Sequence, residues 1–135
     1  MSKSTAGHHF QTRVYYEDTD LAGIVYYANY LKFIERARTE WVRGIGIDQA
    51  QLKAEAGIVF AVRRLEAEYI APAKFDDLLE IKTTVVSSTS ARFVVAQAVH
   101  CGDTLLFDAR VTLVALNNAG RPTRLPAELR QKLPL

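Results

Sequence analysis

The run Tyr15-Tyr16-Glu17-Asp18-Thr19-Asp20-Leu21-Ala22-Gly23-Ile24-Val25-Tyr26-Tyr27-Ala28-Asn29-Tyr30, continued by Leu31-Lys32-Phe33-Ile34-Glu35-Arg36-Ala37-Arg38, decides how this chain folds. It begins at the end of a period-two pattern. Phe10, Thr12, Val14 and Tyr16 alternate with Gln11, Arg13 and Tyr15, as in a strand. It ends in a helical pattern, where Tyr27, Tyr30, Leu31, Ile34, Ala37, Arg38, Trp41 and Val42 recur at steps of three and four. The spacing predicts an amphipathic helix that opens near Tyr27 or Ala28 and stops at Gly44 and Gly46. Phe33 falls off the stripe, so the helix is expected to be apolar on more than one side, as when a sheet wraps it. Trp41, on the stripe, is read as core. Between strand and helix lies an acidic turn, Glu17, Asp18 and Asp20, closed by Ala22-Gly23.

Outward from this stretch the signals are simpler. Asp48, with Gln51 three residues on, is placed to cap a short helix that Gly57 ends. Strands are predicted over 58–70, 78–88, 92–100 and 104–116, separated by Pro72, the Lys74–Asp77 turn, a Ser-rich turn and Cys101-Gly102-Asp103. Pro126 suits the first turn of a last short helix. Late strands joined by short turns predict an antiparallel meander. Its apolar face must be covered, and the long helix is the one element able to cover it. The expected fold class is α+β: one antiparallel sheet curled around one central helix. A single domain is expected over residues 1–135, with the first eight residues flexible.

Composition excludes several function classes. Seventeen Lys and Arg against 15 Asp and Glu leave a charge of +2, too small and too scattered for a nucleic-acid binder. A small polyanionic partner fits better. A single cysteine, Cys101, excludes an intrachain disulfide and a cysteine metal cluster, and no basic neighbour in sequence activates it. No window approaches the roughly 20 apolar residues of a membrane helix, and a soluble, cytoplasmic protein is expected. P-loop, GxGxxG, HExxH and GxSxG patterns are absent. His8 and His9 read as surface histidines, and no metal or redox cofactor is implied.

The chemistry is expected in the acidic turn. A carboxylate there lies beside a helix N-terminus, whose free N–H groups carry roughly half a positive charge. Such a pair can polarise a carbonyl while water or the carboxylate attacks it. Alone, a turn carboxylate is most often simply solvated. Gly23 permits a turn or a close approach that a Cβ would forbid. Asn29 reads as a structural hydrogen-bonding residue. Glu35 either pairs with Lys32 or Arg38 on the surface or, on an enclosed helix, faces a pocket across a dimer.

Residues 16–30, YEDTDLAGIVYYANY, with LKFIERARTE after them, resemble the motif of the 4-hydroxybenzoyl-CoA thioesterase family. The likeness is greatest to its branch of small bacterial acyl-CoA thioesterases associated with the Tol–Pal system. The resemblance implies the hotdog fold, dimers with a continuous sheet that often stack into tetramers, active sites at the subunit interface, and hydrolysis of acyl-CoA. Carried over by motif position, Asp20 is the catalytic carboxylate, as general base or as nucleophile. The backbone N–H region at Tyr27 and Ala28 then holds the thioester oxygen. Tyr27 stands where the Tol–Pal branch usually has His and where the 4-hydroxybenzoyl-CoA enzyme has Tyr. A phenol with a pKa of about 10 is no base at neutral pH, so Tyr27 is left a hydrogen-bonding or pocket-wall role. The aromatic-type member carries a basic cluster for the CoA phosphates at the turn that here reads Ser88-Thr89-Ser90-Ala91-Arg92. Only Arg92 remains of it, with Lys74 or Arg63 as further candidates. The expected substrate-binding set is Gly23, Ala28, Glu35 and Arg92, and the metal set is empty.

The reading is an acyl-CoA thioesterase. A hotdog module that binds acyl-CoA or acyl carrier protein without catalysis is the second reading, and the intact Asp18-Thr19-Asp20 argues against it. A hotdog dehydratase would need an active-site His, and His8, His9 and His100 all lie outside the motif.

Overall fold

The computed structural model describes residues 7–133. The flexibility expected of the N-terminus concerns, for residues 1–6, a stretch outside the described residues, whereas His8 already pairs with Thr83 in the sheet. The elements are β1 (His8–Arg13), α1 (Asn29–Gly44), α2 (Gln49–Ala56), β2 (Val59–Tyr69), β3 (Leu78–Ser88), β4 (Arg92–Cys101), β5 (Thr104–Leu116), β6 (Pro122–Thr123) and α3 (Ala127–Arg130). The strands form one antiparallel sheet in the order β1-β3-β4-β5-β2, with β6 on β5.

This order corrects the expected meander. β3, β4 and β5 do run as one, but β2 pairs with β5 rather than with its chain neighbour β3. The break has a local cause. Ile70 and Ala71 N–H both donate to Leu106 O, at 2.9 and 3.1 Å, and Pro72 then offers no N–H to continue the ladder. The chain leaves the sheet there and re-enters it as β3, between β1 and β4. β2 is left as an edge with Val62, Leu65, Tyr69 and Ile70 exposed.

α1 buries Tyr30, Phe33, Ile34, Ala37 and Val42. They pack into one core with Leu79, Ile81, Phe93, Val95, Phe107 and Val111. The buried stripe is rotated from the expected one: Phe33 is fully buried, while Leu31 and Tyr27 are exposed. Positions 30, 33, 34 and 37 are the i, i+3, i+4, i+7 set, and burying Phe33 contributes about 2–3 kcal/mol. A second correction concerns Tyr16, expected to continue the strand face of Phe10, Thr12 and Val14 but 84% exposed, because β1 stops at Arg13. A third concerns β2, where a bulge between Val62 and Arg64 breaks the expected alternation and sets Val62 opposite Leu113.

Two polar residues, Thr83 and Gln97, sit in this core. Gln97, fully buried on β4, donates from Nε2 to Ile34 O and to Thr83 Oγ1, both at 2.9 Å, and its Oε1 accepts from Arg38 Nη1 at 3.0 Å. The amide thereby fixes the rotation of α1 against the sheet. Burial pushes the Arg38 guanidinium below its usual pKa, and the nearby Glu35 carboxylate opposes that shift. α2 is capped as expected: Asp48 Oδ1 accepts the Gln51 N–H at 3.0 Å, and Gly57 closes it in the left-handed region.

Candidate active site

The acidic turn is built by backbone bonds that the short polar side chains make possible. Asp18 Oδ2 accepts the Tyr15 N–H at 2.8 Å, and Asp18 N–H donates to Tyr15 O at 3.0 Å. These bonds end the extended chain and wind Tyr16–Asp18 into a single 3-10 turn. Asp18 O then accepts the Tyr26 N–H and the Asn29 Nδ2, both at 2.9 Å, tying the turn to the start of the helix. Asp18 and Asn29 are therefore structural. Thr19 and Val25 bridge across the loop, Asp20 N–H donates to Ile24 O, and Gly23 N–H donates to Asp20 O. Gly23 has φ +81°, which only glycine adopts readily. A Cβ there would meet nothing within 4 Å, so within the chain the residue serves the turn and not a close approach.

Asp20 stands exposed on this loop beside a fully exposed Leu21. Its Oδ1 accepts the Ala22 N–H at 2.9 Å, while Oδ2 has no hydrogen-bond partner among the described residues. The carboxylate is thus fixed through one oxygen and open at the other. Seven residues on, at Tyr27, the helix start is equally open. Tyr26 O accepts the Asn29 N–H at 2.8 Å and Tyr27 O accepts the Tyr69 hydroxyl at 2.9 Å. Among the described residues no acceptor takes the N–H of Tyr27 or Ala28, and Ala28 has no side chain to cap the helix.

A groove of about 340 Å³ lies along this helix start, lined by Ile24, Val25, Tyr27, Tyr30, Tyr69 and Pro72. Its rings form a continuous set: Tyr27 stands edge-on to Tyr69, Tyr69 to Tyr30, and Tyr30 stacks on Phe107 at 4.9 Å. Tyr30 Oη accepts the Ala73 N–H at 2.9 Å, securing the groove wall. Burial holds the Tyr30 phenol above its usual pKa, a rise the Ala73 bond opposes and Asp77 augments. Burial likewise raises Tyr69, reinforced by Tyr27 and Tyr30.

Two expected site residues lie elsewhere in the chain. Glu35 borders a separate cavity of about 200 Å³ with Arg38, Trp41, Phe60, Val62 and Phe93, and it accepts the Thr39 hydroxyl at 3.3 Å. It lies seven residues beyond Ala28 along the helix, a rise of about 10 Å. Arg92 lines a third cavity of about 390 Å³ at the end of β3 and β4, together with Arg63, Arg64 and Thr89. Arg64 Nε lies 3.5 Å from Glu66, while Arg63 and Arg92 have no carboxylate partner among the described residues. Lys74, the other cation expected here, does not line this cavity; it bridges to Ile24 instead. Asp20 and Gly23 thus stand on the loop that leads into the helix start at Tyr27 and Ala28, whereas Glu35 and Arg92 border other cavities, which share Phe93. Tyr69, Arg64 and Gln97 were not singled out from sequence. A Tyr on the inward alternation of β2 just before Pro72 was the available signal for Tyr69.

Comparison with known proteins decides the family. Residues 14–133 match the thioesterase-like superfamily. The chain belongs to it. Among members, it is 44% identical over 119 residues to the acyl-CoA thioester hydrolase YbgC of Escherichia coli O6:H1, covering 87% of this chain and 88% of that one. A probable thioesterase from Bartonella henselae superposes with a TM-score of 0.86 at 41% identity, over 89% of this chain and 99% of the other. A mutant 4-hydroxybenzoyl CoA thioesterase in complex with 4-hydroxybenzoyl CoA superposes with a TM-score of 0.86 at 26% identity, over 93% and 97% of the two chains. The thioesterase-like fold of these relatives is the sheet-wrapped helix described above. No group of three or more His, Cys, Asp or Glu among the described residues could hold a metal ion.

Proposed function

We propose that the chain hydrolyses the thioester of acyl-CoA to a free acid and CoA, with Asp20 as the reacting carboxylate. One observation carries the assignment of residues: a carboxylate open at Oδ2 stands on the loop that leads into an uncapped helix start with two free N–H groups. In the base form, Asp20 takes a proton from water as its oxygen adds to the thioester carbon. The carbonyl oxygen gathers charge and is met by the Tyr27 and Ala28 N–H groups. The C–S bond then breaks, CoA thiolate leaves, and the proton goes to sulfur. In the nucleophile form, an Asp20 oxygen attacks the thioester carbon and the C–S bond breaks to expel CoA thiolate, leaving a mixed anhydride that water cleaves to the free acid and the Asp20 carboxylate. Single turnover in ¹⁸O-water separates them, since only the anhydride route can place label in Asp20.

The acyl group is assigned to the aromatic groove, with Tyr27 as wall. The CoA phosphates are assigned to Arg92 with Arg63 and Arg64. Within one chain these cavities are separate, which supports a site completed by a second copy: a dimer, or a tetramer made of two such dimers, that joins across the open β2 edge. Glu35 then faces the substrate from the partner's helix. Leu21 and the exposed row Val62, Leu65 and Tyr69 are the surfaces such a copy would cover. We place the reaction in the cytoplasm. No helix among the described residues is long and apolar enough to cross a membrane.

The test is thiol release from a panel of aromatic and aliphatic acyl-CoAs, for the native chain and Asp20→Asn. Native turnover that Asp20→Asn nearly abolishes is the expected result. Full turnover by Asp20→Asn on every active substrate would remove Asp20 from the chemistry.

A further inference from the structure

We propose that Tyr69 is a positioning residue for the oxygen-holding peptide: its hydroxyl clamps the Tyr27 carbonyl and so aims and polarises the Ala28 N–H. The inference rests on the proposed role of the helix start in holding the thioester oxygen.

The argument begins with the peptide group. The carbonyl of Tyr27 and the N–H of Ala28 belong to one planar trans unit, pointing in opposite directions. A hydrogen bond that fixes the carbonyl therefore fixes the N–H. The Tyr69 hydroxyl donates to that carbonyl at 2.9 Å. Donation to the oxygen draws electron density through the amide and makes the N–H a stronger donor. The neighbouring peptide, Tyr26–Tyr27, is held differently, by the Asn29 N–H on Tyr26 O. The Tyr27–Ala28 peptide alone depends on a side chain from a distant strand.

That side chain is rigidly held. The Tyr69 ring packs edge-on against Phe107 at 5.0 Å and Tyr30 at 5.5 Å, and both of those rings are buried. Tyr69 also lies opposite Phe107 in the β2–β5 register. A phenol of ordinary pKa, about 10, already keeps its proton across the neutral range, and burial and the two neighbouring tyrosines shift this one further up. The donor is therefore present whenever the enzyme works. No side chain caps α1, so nothing else among the described residues orients this peptide.

The experiment is Tyr69→Phe, which keeps the ring and its packing and removes the one donor. Complete loss of an oxyanion donor typically lowers kcat by about 10²–10³, so loss of its clamp is expected to lower kcat about tenfold, with KM within about twofold. In the amide proton NMR spectrum the Ala28 resonance should move upfield, while the buried Gln97 side-chain resonances stay in place. An unchanged kcat, a loss confined to KM, or an unmoved Ala28 resonance overturns the clamp. Asp20→Asn is assayed beside it. An inactive Asp20→Asn with a fully active Tyr69→Phe removes the clamp alone. An Asp20→Asn with native turnover removes the site reading, and the clamp with it.

Discussion

The two parts of α1 are finished in opposite ways. At its middle, Gln97 satisfies Ile34 O, Thr83 and Arg38 in a fully buried network, and α1 is locked to the sheet. At its start, the Tyr27 and Ala28 N–H groups are unpaired among the described residues, Tyr27 is exposed, and the preceding loop offers an open carboxylate oxygen. Buried polar atoms are completed where the fold needs one geometry. Exposed ones are left incomplete where a ligand could complete them. The rigid middle is what makes the open start useful, because an unpaired donor holds charge only if it does not move.

This contrast can be broken by a pair of substitutions. Asp20→Ala should lower kcat by about 10²–10⁴, the usual worth of a positioned acid–base group, and leave the urea midpoint unchanged because Asp20 is exposed. A coupled loss of stability would mean that the loop is structural. Gln97→Leu should do the reverse, destabilising the chain by about 3 kcal/mol in urea unfolding, since it leaves Arg38, Ile34 O and Thr83 without their partner. An unchanged midpoint would deny the brace its role.

Smaller effects sharpen the picture at the periphery. Arg63→Ala with Arg92→Ala should raise KM for acyl-CoA about tenfold, as expected for two lost phosphate contacts at about 0.7 kcal/mol each, and leave the KM of a pantetheine thioester unchanged. An equal rise for both substrates would take the cavity out of CoA binding. Asp48→Ala, which removes the α2 cap far from either part of α1, should cost about 1 kcal/mol of stability and no activity. The smallest effect concerns pH. Tyr30 and Tyr69 have pKa values raised by folding, so their contribution is complete below the unfolded value of about 10 and is lost as pH rises through the folded values. Thermal melts should be flat from neutral to about pH 10 and fall above it, with a shallower fall for Tyr69→Phe.

Much of the fold was legible because the local signals agreed. β3 and β5 begin and end where alternation and turn residues put them, and Asp48, Gln51 and Gly57 bound α2 as their chemistry requires. The misplaced parts depended on distant partners. Tyr16 continues the β1 alternation in sequence, yet the Asp18 carboxylate takes the Tyr15 N–H and turns the chain away. In sequence β2 reads as the neighbour of β3, yet Leu106 O and Pro72 end its ladder, and β3 takes its place between β1 and β4. In the site, Asp20, Tyr27 and Ala28 are adjacent along the chain and could be grouped from sequence. Tyr69 lies 42 residues from the carbonyl it binds, and no periodicity reports such a bond.

The sequence by itself determined the elements, the enclosed helix, and the acidic loop in front of it, because hydrophobic period, capping and turn chemistry are properties of neighbouring residues. Only the tertiary structure decided which strand borders which, which face of α1 is core, and that Glu35 and Arg92 sit on cavities apart from Asp20. Those outcomes depend on how much apolar surface can be covered at once and on bonds between residues far apart in the chain, and neither is written in any local window.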